Sequence, residues 1–152
     1  MPISIKYHFT QVFNAPVKKA FSWCTNFDPI DHQLMNEENA EREIARIADG
    51  ALILKDTFHL PTGTVEKQKL VQLYPEQYTW TSTHLTGPNK YSQFLYVIAP
   101  KGKDRSELTF SAQHLEYNEK VGTKQLSRQL CKEDAAAWKL LARELAQEYM
   151  SI

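Results

Sequence analysis

Short turns between strand-like runs constrain the fold of this chain more than any other feature. From Ala40 to Tyr117 the sequence consists of β-rich runs separated by turn residues, of which Asp49-Gly50 is the sharpest hairpin signal. Parallel strands need crossover connections of about a dozen residues or more, so these short connections predict sequential antiparallel strands. The predicted strands are Glu41–Ala48, Ala51–Leu60, Thr64–Tyr74, Gln77–His84, Tyr91–Ala99 and Ser106–Tyr117.

The segment before these runs changes from strand to helix at a proline. Ile3–Phe13 alternates between apolar and polar residues, as a half-buried strand does. Pro16 suits the first turn of a helix, because its missing N–H costs nothing there. Val17, Phe21 and Cys24 follow at helical spacing, so we predict a short helix that packs these side chains toward the sheet.

Two further helices are predicted. Asp28-Pro29 combines an acidic N-cap with a proline, and it predicts a second short helix with Ile30, Leu34 and Met35 facing inward. From about Thr123 a helical pattern runs almost to the C-terminus over roughly 26 residues, or ~39 Å. Its broad apolar face carries Leu130, Ala137, Trp138, Leu141, Leu145 and Tyr149. We expect the side chains of residues 138, 141 and 145 to be largely buried against the sheet.

The order of these elements resembles the START-like superfamily, also called SRPBCC. The resemblance covers nearly the whole chain and is most specific at Phe13-Asn14-Ala15-Pro16-Val17, followed by Phe21 and Phe27-Asp28. The segment Lys69–Trp80 also looks like the fourth strand, proline turn and fifth strand of that family. The superfamily includes birch-pollen allergens, polyketide cyclases and lipid-transfer proteins.

The resemblance implies an α+β helix-grip fold: a curved antiparallel sheet of about seven strands around a long C-terminal helix, with two short helices after the first strand. We expect one domain over residues 1–152. In this family a cavity between sheet and helix typically holds a hydrophobic or amphipathic ligand, such as a lipid, sterol, polyketide or quinone. The question is then which polar residues point into it.

Composition narrows the classes of function. Lysine plus arginine equals aspartate plus glutamate at 18 each, so no net charge attracts nucleic acid, and we predict no nucleic-acid partner. Cys24 and Cys131 form no CxxC motif and are too few for a disulfide framework, which fits a reduced, cytoplasmic setting. No apolar run approaches the ~20 residues of a membrane helix. The histidines form no HxxxH or HxxE motif, so neither a metal nor another cofactor is predicted.

Strand parity and helix angle select the residues expected to face inward. Tyr7, Tyr78, Trp80, Phe110 and Trp138 are the predicted ligand-binding residues. Some polar residues share the inward-facing parity of their strands, and one carboxylate lies on the apolar face of the long helix. The catalytic candidates are His84, His114 and Asp56 on the strands and Asp134 on the helix.

Each polar candidate also has an ordinary structural explanation. Strand ends reach water, so exposure is the default expectation for His84, His114 and Glu116. Lys67 and Lys69 share the inner parity of their strand, and lysines there are usually solvated at a rim. The ordinary explanation for Asp134 is that it caps the N-terminus of the long helix, which would then begin near residue 134 and not near Thr123.

Two classes of function remain. The first is binding of a small hydrophobic ligand, with transport or with metal-free acid–base chemistry of the cyclase or dehydratase type. His84 or His114 would then carry the proton, and Asp56 or Asp134 would orient that histidine. Tyr7 would donate a hydrogen bond to a carbonyl group of the ligand. The second is a protein-contact module, such as the superfamily members that activate a chaperone ATPase. The volume of the interior separates the two, because a contact module needs no cavity.

Overall fold

The computed structural model describes residues 1–27 and 40–150, and the predicted second helix at Asp28-Pro29 lies outside them. Strands and helices follow in the order β1 (Ile3–Phe13), α1 (Val17–Cys24), β2 (Ala40–Ala48), β3 (Ala51–Leu60), β4 (Gly63–Tyr74), β5 (Thr79–His84), β6 (Gln93–Pro100), β7 (Ser106–Glu116) and α2 (Thr123–Met150). A 3-10 turn at Pro75–Gln77 joins β4 to β5.

The strands form one seven-stranded sheet in the order β1-β7-β6-β5-β4-β3-β2, and every neighbouring pair is antiparallel. Strands β2 to β7 therefore follow one another as hairpins, and β1 adds to the far edge beside β7. Tyr7 lies opposite Ala112, and Phe9 lies opposite Phe110, so the apolar parity of β1 continues that of β7. The predicted α+β helix-grip layout is confirmed.

Helix α1 begins where the sequence predicts. Pro16 is its N-cap residue, and the carbonyl of Pro16 accepts a hydrogen bond from the Ala20 N–H at 2.9 Å. Phe21 and Cys24 are buried, and Val17 packs against the core. The prediction that this face points toward the sheet is confirmed.

Helix α2 packs along β1. Leu141 and Leu145 are buried as predicted, whereas Trp138 is half-buried because it faces an internal cavity. Ser127 Oγ and Cys131 Sγ also donate to backbone carbonyls of β1, at 3.4 and 3.6 Å. The helix is continuous from Thr123, so the alternative in which Asp134 caps its N-terminus is wrong.

Two strands begin later than the sequence predicts. Gln77 belongs to the 3-10 turn and Tyr78 has a φ of 48°, so β5 begins at Thr79. Tyr91 has a φ of 72°, and β6 begins at Gln93. A residue with left-handed backbone angles cannot continue a strand, so its side chain does not follow the alternation of the residues after it.

We predict that Leu145→Ala lowers the free energy of unfolding by about 2–5 kcal/mol, because its side chain is 0% exposed and truncation leaves a cavity. Leu140→Ala is the matched control on the same helix, where the side chain is 38% exposed; it should cost about 1 kcal/mol or less. Urea unfolding followed by circular dichroism measures both. Equal losses for the two variants would show that α2 does not hold the sheet through Leu145.

Candidate ligand-binding cavity

A cavity of ≈ 380 Å³ lies between the concave face of the sheet and α2. Side chains from α1, from each of the seven strands and from α2 contribute to its lining. The sheet contributes the residues that alternate inward along each strand. Helix α2 contributes Leu130, Asp134, Ala137, Trp138 and Leu141, which recur at the spacing of one helix face.

Aromatic rings form part of the wall of this cavity. Trp80 and Tyr96 lie opposite each other on β5 and β6, and their rings stack at 4.7 Å with an interplanar angle of 2°. Phe110 on β7 meets the edge of the Tyr96 ring at 5.2 Å. Trp138 reaches over from α2, with its ring centroid 5.8 Å from that of Tyr96. We call these four residues the aromatic wall.

A tyrosine and a carboxyl group meet across the cavity. The Tyr7 hydroxyl on β1 donates a hydrogen bond to Asp134 Oδ2 on α2 at 2.5 Å. Burial, followed by the bond and the charge of Asp134, raises the pKa of Tyr7 well above its usual range. Burial is also the main cause that raises the pKa of Asp134, while the bond from Tyr7 opposes that rise. The pair therefore favours a neutral tyrosine and shifts the carboxyl toward its protonated form.

His84 lies opposite Lys69 across the β4–β5 pairing and lines the cavity. The pKa of His84 is lowered to about 4, mainly by burial. The positive charges of Lys69 and Lys67 contribute next, and His114 contributes least. The imidazole is therefore neutral at pH 7 and a weaker base than an ordinary histidine. Its ring also lies 5.0 Å from that of Phe94.

His114 was expected to be exposed at a strand end, and that expectation is wrong, since it is only 8% exposed. Its Nε2 atom lies 3.1 Å from the Asn89 Nδ2 atom and 3.2 Å from the Glu116 Oε2 atom. The loop before β6 therefore covers the end of β7 and buries the ring. Hydrogen bonds from the Asn118 backbone and from His114 lower the pKa of Glu116.

Asp56 and Tyr78 were predicted to reach the cavity, and the structure places both outside its lining. Asp56 is 1% exposed, and Arg42 donates to its two carboxylate oxygens at 2.7 and 3.0 Å. Tyr78 lies in the turn before β5, where its left-handed backbone removes it from the parity of Trp80, and it packs edge-on against Phe21.

The other predicted residues do meet at the cavity. Its lining includes Tyr7, Trp80, Phe110, Trp138, His84, His114 and Asp134. Of the two lysines, Lys69 is half-buried and lines the cavity, whereas Lys67 is exposed, as a rim residue would be. Their roles in binding or chemistry stay predictions.

Sequence reasoning missed two lining residues of β6, Phe94 and Tyr96. They share the inner parity, but Leu95 and Val97 make the opposite parity of this strand apolar as well. A run that is apolar on both parities does not show which side faces inward. Asn89 was missed for another reason, because it lies in a turn where no periodicity applies.

Within residues 1–27 and 40–150, no group of three or more His, Cys, Asp or Glu side chains could hold a metal ion. Over the same residues, no helix is long and apolar enough to cross a membrane.

We predict that His84 makes the stability of the protein depend on pH. Its pKa is about 4 in the folded protein against an ordinary 6.5, so between these values the unfolded chain binds more protons. The free energy of unfolding should therefore fall as the pH is lowered from about 6.5 to about 4, by at most about 1.4 kcal/mol per pH unit from this group.

Urea unfolding at a series of pH values measures this slope. His84→Asn should flatten it, whereas His59→Asn, which changes a half-exposed ring on β3, should leave it as it is. A slope that is the same in all three proteins would contradict the assignment to His84.

No family model matches this sequence, and no curated protein matches it either. Solved structures do match it in fold. Norcoclaurine synthase from Thalictrum flavum, in complex with dopamine and hydroxybenzaldehyde, is 17% identical, with a TM-score of 0.69 over 99% of this chain and 88% of that one. Zhui aromatase/cyclase from a Streptomyces species is 11% identical, with a TM-score of 0.67 over 96% of this chain and 93% of that one.

The structure of Ara h 8.0201 is likewise similar, at 11% identity and a TM-score of 0.69 over 95% of this chain and 99% of that one. Identities this low show a shared fold, and the topology described above is the one these structures share. The chain therefore has the helix-grip fold.

Proposed function

We propose that this protein binds a small hydrophobic or amphipathic ligand in the cavity between its sheet and α2. The observation that carries the proposal is the cavity itself, with ≈ 380 Å³ of space beside the aromatic wall. Small-molecule pockets of proteins typically measure about 300–1,000 Å³ and combine apolar walls with a few polar groups. This cavity has both properties.

The packing of the interior supports binding over the protein-contact alternative. A contact module gains nothing from an open interior, because atoms that face empty space lose their dispersion contacts. Here the rings of Tyr96 and Trp138 line such a space and are only half-buried. A ligand would restore those contacts and remove apolar surface from water.

The matched structures support the same class of function. One of these structures is an enzyme in complex with dopamine and hydroxybenzaldehyde, and another is an aromatase/cyclase. Both describe small aromatic molecules or the chemistry that forms them. Small aromatic molecules are therefore the class of ligand that we expect here, and such molecules fit a cavity with aromatic walls.

Acid–base conversion of the ligand is a second candidate, supported by the polar groups of the cavity. His84 is neutral at pH 7 and can accept a proton from a carbon next to a carbonyl group. Asp134, whose pKa is raised by burial, can donate a hydrogen bond to the carbonyl oxygen on which charge develops. The Tyr7 hydroxyl already donates to Asp134, so in this arrangement Tyr7 positions the carboxyl group.

The conversion is tested once a ligand has been recovered by native mass spectrometry of the purified protein. Incubation of that ligand with the protein should give a product of equal mass, or of lower mass by one water. His84→Gln should slow product formation by about 100-fold or more while the ligand still binds. An unchanged rate in this variant would remove His84 from the chemistry.

We predict that the neutral fluorescent probe N-phenyl-1-naphthylamine binds in the cavity, and that Ala137→Phe weakens this binding by about tenfold or more. Ala137 lines the cavity, so a phenyl ring there occupies the space of the probe. Ala136→Phe is the matched control, since the neighbouring alanine is exposed on the same helix. Its affinity for the probe should stay within about twofold of the unmodified protein.

Probe fluorescence measures affinity in each protein, and circular dichroism verifies that each variant is folded. If the unmodified protein does not bind the probe, or if the two phenylalanine variants weaken binding equally, the cavity is not the binding site. The protein-contact alternative would then be favoured.

A further inference from the structure

Three polar groups in the wall of the cavity form no hydrogen bond within the described part of the chain. They are the indole N–H of Trp80, the hydroxyl of Ser82 and the hydroxyl of Tyr96. Trp80 and Ser82 are only 2% and 6% exposed, and Tyr96 is half-buried. We call these three residues the donor patch. Because buried Trp N–H and Tyr O–H groups usually have a partner, the donor patch calls for an explanation.

The donor patch reaches the open space of the cavity. Among the described residues that are not exposed, every fully covered side-chain nitrogen or oxygen atom has a hydrogen-bond partner. The three groups of the donor patch have none, so they are not fully covered, and the space that their residues line is the cavity. Trp80 and Ser82 are successive inward-facing residues of β5, and Tyr96 lies opposite Trp80 on β6.

The chemistry of these groups requires an acceptor from the ligand. The Trp80 N–H can only donate a hydrogen bond, whereas the two hydroxyl groups can donate or accept. An apolar ligand that displaced water from the donor patch would leave all three groups unpaired, at a cost in free energy. An ammonium group can only donate, so it could not pair with the Trp80 N–H. A carbonyl oxygen has two lone pairs and accepts two hydrogen bonds without needing an acceptor in return.

The surroundings of the donor patch favour a neutral acceptor over an anionic one. Asp134 lies close enough to Tyr96 for its charge to help raise the pKa of the Tyr96 hydroxyl, although burial is the larger cause. An anionic group of a ligand at the donor patch would lie near this carboxyl group, and like charges in one site disfavour each other. Arg42, which also lines the cavity, already donates to both carboxylate oxygens of Asp56.

We propose that the donor patch of Trp80, Ser82 and Tyr96 selects a neutral aromatic ligand by its acceptor oxygen, of which an aryl ketone is the simplest example. The ring system of the ligand then lies against the rest of the aromatic wall, where Phe110 and Trp138 are 5.2 and 5.8 Å from the Tyr96 ring. This inference rests on the proposed function, because it names the class of ligand that the same cavity selects.

The test compares four ligands that share one ring system: 2-acetylnaphthalene, 2-isopropenylnaphthalene, 1-(2-naphthyl)ethylamine and 2-naphthoate. The first two have nearly the same shape, and they differ in that the ketone has an oxygen where the alkene has a methylene group. The third is a cation at pH 7, and the fourth is an anion. The affinity of each ligand is measured by displacement of N-phenyl-1-naphthylamine in a fluorescence titration. We expect the ketone to bind more tightly than either charged ligand.

Ser82→Ala combined with Tyr96→Phe removes two donors and keeps the aromatic ring. We expect the affinity for 2-acetylnaphthalene to fall by about tenfold, because two hydrogen bonds of ordinary strength are lost. The affinity for 2-isopropenylnaphthalene should change by less than about twofold. The matched control combines Ser111→Ala with Tyr74→Phe, since neither of these residues lines the cavity. It should leave both affinities within about twofold of the unmodified protein, and circular dichroism verifies that both double variants are folded.

The carbonyl stretching band of bound 2-acetylnaphthalene gives a second readout, which is available in the unmodified protein. Hydrogen bonds to a carbonyl oxygen weaken the C=O bond. In infrared difference spectra with a carbon-13 carbonyl label, the band should therefore lie at lower wavenumber than for the same ligand in hexane. It should move toward the hexane position in Ser82→Ala and in Tyr96→Phe, which also serve singly if the double variant folds poorly.

The outcomes separate this inference from the proposed function. If the unmodified protein binds neither the probe nor any of the four ligands, the proposed function fails. If ligands bind but the double variant weakens the ketone and the alkene equally, or if the bound carbonyl band keeps its hexane position, only the role of the donor patch is wrong. Tighter binding of the amine or of 2-naphthoate than of the ketone would also overturn the inference, because the cavity would then select a charged group.

Discussion

The contact between α2 and β1 is the constraint on which the cavity depends. The side chains of Ser127 and Cys131 on α2 donate to two carbonyls of β1, and Leu145 of the same helix is fully buried in the core. This packing fixes the helix along its axis, so that Asp134 meets Tyr7 and Trp138 meets the aromatic residues of the sheet. A shift by one turn, about 5.4 Å, would separate both pairs.

Burial of polar groups is the second constraint, and the protein meets it in two ways. Asp56 is buried beside Arg42, which satisfies both of its oxygens, because an unpaired buried carboxylate is costly. Asp134 instead accepts a hydrogen bond from Tyr7 and faces open space, with a raised pKa. The first arrangement stabilises the fold, and the second leaves a polar group that a ligand can reach.

Strand parity predicted much of the site. Trp80 and His84 on β5, and Phe110 and His114 on β7, line the cavity as the alternation of their strands indicated. Parity failed where the backbone departs from a strand. Tyr78 has left-handed backbone angles, so the alternation that includes Trp80 does not reach it. Parity also could not show that the inward-facing Asp56 would be covered by Arg42 from the neighbouring strand.

The sequence by itself determined the number and order of the strands from β2 onward, the helix that begins after Pro16, and the apolar face of α2. These features follow from periodicity and turn chemistry, which act between residues close together in the chain. The tertiary structure alone decided that β1 lies beside β7, that Tyr7 donates to Asp134, and that Lys69, His84 and Asn89 line the same cavity. Such pairs are distant in sequence, so their meeting depends on strand register and on the position at which the helix packs, which local patterns do not encode.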